Sequence, residues 1–158
     1  MPPPVTALPG EPPVRGSAFV LELPSDPRLI DAAVTYLAER ARAFDFQGSR
    51  LNLNFRVGVS EALANAILYG NRADPAKRVR VEVELSWQEV SLVVYDEGAG
   101  FDPGSVPDPT LPENIESAGG RGIFLLRELM DEVRYNECGN CVRLVLRRER
   151  VVQRGQEE

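Results

Sequence analysis

Strict alternation of apolar and charged residues in RVRVEVEL (residues 78–85) restricts the possible folds of this chain more than any other pattern. Successive side chains of a β-strand point to opposite faces, so the run predicts a strand with one apolar and one charged face. The apolar set is Val79, Val81, Val83 and Leu85, and the charged set includes Arg80, Glu82 and Glu84. Such a strand indicates a sheet that packs helices on one face and meets water on the other.

Four other segments have the composition of strands, namely SAFVLELP (residues 17–24), VSLVVY (residues 90–95), VRYNE (residues 133–137) and VRLVLR (residues 142–147). In front of the last one, Gly139-Asn140 is a two-residue hairpin signal that predicts Cys138 and Cys141 opposite each other. We interpret these cysteines as an ordinary reduced hairpin. A redox pair is the alternative, and zinc would need soft ligands that the chain lacks.

Helices are predicted in three places. Asp26-Pro27 is typical of an N-cap followed by proline, and apolar residues at helical spacing extend that helix to about residue 46. Residues 51–59 alternate as a strand would, but a helical pattern continues through them to a cap at Gly70 and matches more positions. We therefore predict one helix of about 20 residues there. GIFLLRELMDEV (residues 122–133) predicts the third helix.

The two ends of the chain differ from its middle. Residues 1–16 contain six of the thirteen prolines and have no periodicity, so we expect a disordered tail. We expect one domain over residues 17–148, a length that suits a single hydrophobic core, and a flexible charged tail over residues 149–158.

Composition excludes several classes of function. The net charge of −6 argues against nucleic-acid binding through phosphates, and no apolar run is long enough to span a membrane. No secretory signal is visible, so we expect a cytoplasmic protein. The chain has no histidine, which excludes Ser-His-Asp and Cys-His catalysis and histidine-ligated metals within this chain.

Two glycine clusters surround a stretch rich in proline and glycine. DEGAG (residues 96–100) follows the VSLVVY strand, and GGRG (residues 119–122) opens the third helix. Glycines let backbone amides approach a bound group, and a helix N-terminus attracts anions such as phosphate. The alternative for both clusters is that the glycines only form loop turns. Asp96 can equally accept a hydrogen bond within its own turn or from a ligand amine. The intervening stretch has the composition of a flexible lid.

The long predicted helix carries a carboxylate and a carboxamide among apolar residues. Glu61 and Asn65 are four residues apart, so they lie on one helical face. The alternatives are a solvated charge with a satisfied amide, or a pair that faces a ligand.

In this order, the motifs SEALANAILYGN, DEGAGFDP and GGRGIFLLRELMDEV resemble the N box and the two glycine boxes of the GHKL ATPase superfamily. The details are most similar to bacterial anti-sigma factors and serine-protein kinases that operate partner switching. The resemblance covers residues 17–148. It implies the Bergerat ATP-binding fold, an α/β two-layer sandwich with a mixed, mainly antiparallel sheet.

The resemblance also implies residue roles. Glu61 is expected to be the catalytic base, and Asn65 is expected to bind the nucleotide through Mg²⁺, a cation that favours oxygen ligands. Asp96 is expected to accept the adenine amino group. The remaining expected nucleotide-binding residues are Gly98, Gly100, Gly120, Arg121 and Gly122. Arg121 is alternatively a solvated lid residue. Asn140 stands in a turn where the family often has threonine, and no role is assigned to it.

The function implied is an ATP-dependent serine/threonine-protein kinase that phosphorylates a small antagonist protein and sequesters a sigma factor or similar regulator. A homodimer is expected, without direct contact to nucleic acid or membrane. One alternative is a nucleotide-binding module that only sequesters its partner. The other is a stand-alone catalytic domain of a sensor-kinase system, with the phosphoacceptor on another chain.

Overall fold

The computed structural model of the protein describes residues 16–100 and 120–148. The strands are β1 (Gly16–Pro24), β2 (Arg78–Ser86), β3 (Glu89–Tyr95), β4 (Glu132–Tyr135) and β5 (Cys141–Arg147), and the α-helices are α1 (Ile30–Arg42), α2 (Arg56–Ala64) and α3 (Gly120–Leu129). The predicted lid and both predicted tails, apart from Gly16, lie outside the described residues. None of the described helices is long and apolar enough to cross a membrane.

The strands form one sheet in the order β1-β2-β3-β5-β4, and every neighbouring pair is antiparallel. The register places Val81 between Leu21 of β1 and Val94 of β3, so the apolar residues of adjacent strands form rows on one face. This face packs against the helices in a single core. The expected two-layer α/β fold is confirmed, and no parallel pair occurs among the described strands.

The predicted helix near residues 50–70 is confirmed over its strand alternative. We call it the long helix: α2 is flanked by π-helical turns at Arg50–Phe55 and Asn65–Gly70. Its predicted apolar face is buried in full, as Leu51, Phe55, Val59, Leu63, Ala66 and Ile67 are each at most 4% exposed. The helical pattern therefore explains the burial of apolar residues along the whole segment, whereas strand alternation extends only over residues 51–59.

The start of the first helix agrees with the prediction, and its end is earlier. Asp26 caps the first turn by accepting a hydrogen bond from the Arg28 N–H at 2.9 Å, and Pro27 opens a 3₁₀ turn before α1. α1 ends at Arg42, because Asp45 takes a left-handed conformation with φ 67°. Phe46 is nevertheless buried, so the predicted apolar periodicity continues into a loop that packs on the core.

The predicted two-residue hairpin at Gly139-Asn140 is wrong. β4 ends at Tyr135, which pairs with Val142, so a five-residue loop joins the strands. The side-chain oxygen of Asn136 accepts hydrogen bonds from the backbone N–H groups of residues 139, 140 and 141 and organises this loop. Cys138 therefore does not face Cys141, and both are free thiols. Burial raises the pKa of the Cys141 thiol, which favours its protonated form.

Candidate functional site

Glu61 and Asn65 meet the first turn of α3. A Cβ added at Gly122 would lie 3.0 Å from Glu61 Oε2 and 3.2 Å from both Asn65 Nδ2 and Asn65 Oδ1. The absence of a side chain at residue 122 therefore leaves room for both polar groups beside a helix N-terminus. The structure brings these three predicted residues together.

The carboxamide of Asn65 contains a buried nitrogen whose capacity to donate hydrogen bonds is not fully used. Its Nδ2 is buried, and a hydrogen bond from the Asn65 side chain to the Tyr135 hydroxyl accounts for at most one of its two donor hydrogens. A buried donor hydrogen without a partner is costly, so such a group favours a bound acceptor. A phosphate oxygen beside the α3 N-terminus is a suitable acceptor, since helix N-termini favour anions. The arrangement therefore fits the triphosphate end of a nucleotide.

Asp96 lies at the end of β3 against the end of the long helix. A Cβ added at Gly70 would lie 2.5 Å from Asp96 Cγ, so the carboxylate occupies the space of a missing side chain. The Gly98 N–H donates to Asp96 Oδ1 at 2.8 Å. Burial raises the pKa of Asp96, while the bond from Gly98 and the positive charge of Lys77 oppose that rise. A partly buried carboxylate with one oxygen engaged suits an amine donor.

Gly98 and Gly100 are in close contact with neighbouring backbone. A Cβ at Gly98 would overlap the carbonyl oxygen of Gly70, and one at Gly100 would overlap the carbonyl oxygen of Cys138. Gly100 also has φ +79°, a conformation that disfavours other residues. These glycines are therefore required where three chain segments converge.

Asn140, to which no role was assigned from sequence, connects the hairpin to the first glycine cluster. Its carbonyl accepts the N–H of Asp96 at 3.0 Å, and its Nδ2 donates to the Gly98 carbonyl at 3.4 Å. Asn136 in turn donates to Asn140 Oδ1 at 2.7 Å. The β4–β5 loop therefore forms one wall beside Asp96.

Tyr135 is a residue of this region that the sequence did not indicate. Burial raises the pKa of its hydroxyl to about 12, Arg127 and the Asn65 side chain oppose that rise, and Asp96 adds to it. The Tyr135 hydroxyl therefore interacts with groups on both sides of the site, with the Asn65 side chain on one side and with the Asp96 carboxylate on the other. The one sequence signal for this position is the alternation of side chains along β4, which places Tyr135 and Val133 on the face of the sheet that packs against the helices.

Two other predicted residues are located only in part. Gly120 is the first residue of α3, and Arg121 follows it in the helix. The side chain of Arg121 lies outside the described atoms. No group of three or more His, Cys, Asp or Glu side chains that could hold a metal occurs among the described residues. A magnesium ion at Asn65 would therefore take most of its oxygen ligands from phosphate and water, as Mg²⁺ commonly does.

Comparison with known proteins places this geometry in context. The histidine kinase-like ATPase domain family matches residues 23–146. Over 122 residues, the chain is 25% identical to the serine-protein kinase RsbW of Oceanobacillus iheyensis, which covers 73% of this chain and 77% of that protein. It is 34% identical over 87 residues to RsbW of Bacillus licheniformis, covering 51% of this chain and 54% of the relative. It is 27% identical over 99 residues to the anti-sigma F factor of Clostridium perfringens, covering 60% and 70%.

Proposed function

Because this chain belongs to the histidine kinase-like ATPase family, in its branch of anti-sigma factors and serine-protein kinases, we propose that it is an ATP-dependent serine/threonine-protein kinase. Its substrate is a small antagonist protein, and its second partner is a sigma factor or similar regulator that it sequesters in the cytoplasm. The observation that carries the proposal is the meeting of Glu61, Asn65 and Gly122 at the N-terminus of α3.

Each group has a chemical task in this proposal. The α3 N-terminus and the Asn65 side chain hold the phosphates, and the Asn65 oxygen is the protein ligand for Mg²⁺. Bound Mg²⁺ would neutralise charge on the phosphate oxygens. Asp96 accepts a hydrogen bond from the exocyclic amine of adenine, which favours adenine over guanine.

Glu61 is the proposed general base. As a serine or threonine oxygen forms a bond to the γ-phosphorus, the bond from that phosphorus to the departing ADP oxygen breaks. Glu61 accepts the proton that the hydroxyl loses. Most of the rate is expected from alignment and electrostatic stabilisation, while a positioned base contributes a factor of ~10²–10⁴.

The test is phosphorylation of the small protein that co-purifies with the tagged chain, using γ-labelled ATP. Glu61→Gln keeps the shape but loses the basicity, so transfer is expected to fall ~10²–10⁴-fold with ADP affinity nearly unchanged. Label on serine or threonine supports the kinase. Binding of ATP without any transfer by the unmodified protein supports the sequestering module instead. Transfer at an unchanged rate by Glu61→Gln would refute the base assignment.

The outer face of the sheet supports a homodimer. Opposite the helices, β1–β3 carry four glutamates and two arginines, namely Glu22, Glu82, Glu84, Glu89, Arg78 and Arg80, whereas β4–β5 carry Glu132, Arg134, Arg143 and Arg147. One half of this face is therefore acidic and the other basic. Ala18 and Val20 of β1 and Val93 of β3 help to line a groove of about 280 Å³ that lies mainly in the acidic half and reaches Arg143. A second copy of this chain is complementary to such a face.

The strand register indicates how the two copies would meet. Glu82, Val93 and Arg143 lie in one row across β2, β3 and β5. A two-fold axis parallel to β3 would place Glu82 of one copy opposite Arg143 of the other, and the reverse. Sheets stacked face to face lie about 10 Å apart, a distance that these two long side chains can bridge.

A further inference from the structure

Among residues 16–100 and 120–148, Asn71 is the most deeply buried polar residue outside the groups that the proposed reaction uses. It directly follows Gly70 at the end of the long helix and is 0% exposed. Its backbone N–H donates to the Ala66 carbonyl at 2.8 Å. Asparagine is seldom fully buried, so this position requires partners for every polar atom.

The carboxamide of Asn71 finds such partners in three separate segments. Its Oδ1 accepts the backbone N–H of Glu97 at 2.7 Å. Its Nδ2 donates to Ser25 Oγ at 2.8 Å and to the Arg78 carbonyl at 3.0 Å. Both donor hydrogens are used, and a flipped amide would set its NH₂ group against the Glu97 N–H. The orientation of the side chain is therefore determined.

The partners of Asn71 are also bonded to one another. The Glu97 carboxylate accepts the Arg78 N–H at 2.5 Å, and Ser25 Oγ donates to the Lys77 carbonyl at 2.8 Å. The end of β1, the start of β2 and the turn after β3 thus form one hydrogen-bond network around a single buried amide, with the bond between Glu97 and Arg78 at its exposed edge. A network of this kind fixes backbone positions when every member is satisfied.

This network holds Asp96 from both sides. Gly70, where an added Cβ would lie 2.5 Å from Cγ of the Asp96 carboxylate, is covalently joined to Asn71. Glu97, which follows Asp96, is bonded to the Asn71 side chain. We propose that Asn71 is a positioning residue that fixes the Asp96 carboxylate relative to the long helix and so sets the selectivity for an adenine nucleotide. The inference rests on the proposed function, since it assumes that Asp96 reads the base.

The physical reason is the narrow geometry of a hydrogen bond. A donor and acceptor must lie about 2.7–3.2 Å apart, so a carboxylate displaced by several tenths of an ångström loses much of its bond to the adenine amine. Contacts to phosphate lie at the other end of the nucleotide and do not depend on that placement. Asn71 should therefore affect the selectivity for adenine over guanine more than the affinity for the phosphate groups.

The experiment measures the dissociation constants of ADP and GDP by titration calorimetry for the full chain and three variants. Asn71→Ala leaves the Glu97 N–H without its acceptor, and we expect ADP to bind about 10-fold more weakly while GDP binding is unchanged. Ser25→Ala is the matched control, because it removes a member of the same network that has no bond to residues 96–98. It should keep the ADP/GDP ratio of the unmodified protein.

Asn71→Asp is the conservative variant, since it keeps an acceptor for Glu97 and loses the donors. It should retain the ADP/GDP ratio within about 2-fold despite lower thermal stability. If Asn71→Ala does not fold, Asn71→Ser replaces it, because the hydroxyl is too short to reach Glu97. A folded Ala or Ser variant with an unchanged ratio overturns the inference, as does an equal loss in Ser25→Ala. Absence of nucleotide binding by the unmodified protein instead refutes the proposed function.

Discussion

Adding one methyl group at Gly122 tests whether the meeting of α3 with Glu61 and Asn65 is the reactive centre. The new Cβ in Gly122→Ala would lie 3.0 Å from Glu61 Oε2, whereas ordinary contacts begin at 3.4 Å, so the carboxylate must move by about 0.4 Å. A misplacement of about 1 Å costs roughly 10²-fold in rate, so a shift of this size should slow phosphoryl transfer about 5- to 10-fold. Stability should change little, because alanine gains up to about 1 kcal/mol over glycine in a helix.

Gly58→Ala is the matched control at the same helix–helix contact. Its Cβ would lie 2.8 Å from Met130 Sδ, a closer approach than at Gly122 but to an apolar side chain away from Glu61. Overpacking costs about 1–3 kcal/mol and helix propensity returns about 1 kcal/mol, so this variant should be less stable by up to about 2 kcal/mol. Its transfer rate should remain within about 2-fold of the unmodified protein.

The assay combines initial rates of label transfer at saturating ATP with thermal denaturation of each variant. A slower rate in Gly122→Ala with unchanged melting, and the reverse pattern in Gly58→Ala, would support the assignment. Two results would refute it. One is an unchanged rate in Gly122→Ala, and the other is an equal slowing in Gly58→Ala, which would assign the effect to helix packing.

Two further predictions concern charge. Because burial raises the pKa of Asp96, its ionised form destabilises the folded state at neutral pH, and stability should increase as pH falls toward that pKa. Asp96→Asn should therefore melt higher at neutral pH, with a smaller gain on acidification, yet bind ADP more weakly; a lower melting temperature would contradict this. Arg143→Glu should weaken the homodimer about 10- to 100-fold in sedimentation analysis, and adding Glu82→Arg should restore it. Two weakened single variants without recovery in the double variant would exclude this interface.

The parts of the fold that were predictable from sequence are those with a repeated pattern. Alternation in residues 78–85 identified the buried face of β2, since a slip of one residue would expose every valine. The long helix was predictable because six apolar residues at helical spacing over residues 51–67 cover more of the core than a strand does. Both patterns arise because one face of the element is buried, so an apolar residue recurs at every helical turn or at every second residue of a strand.

The hairpin at residues 136–140 was not predictable in this way. Gly139-Asn140 has the composition of a tight turn, but the Asn136 side chain accepts three backbone N–H groups and makes a wider loop more favourable. That loop then reaches Gly98 through Asn140. Dipeptide preferences describe local conformation only. They therefore do not include the hydrogen bond between the Asn136 side chain and the Asn140 N–H, or the contact of this loop with Gly98.

Asn71 illustrates the same limit at the candidate site. In the sequence it is an asparagine after a glycine, a pair that predicts only the end of a helix. In the structure it joins segments that begin 46 residues before it and 26 residues after it, at Ser25 and Glu97. Residues to which we assign chemical roles, such as Glu61 and Asp96, stand out in the sequence because a charge in an apolar setting requires explanation. Asn71, which we propose to position Asp96, does not stand out, since its contacts exist only after the strands and the long helix have come together.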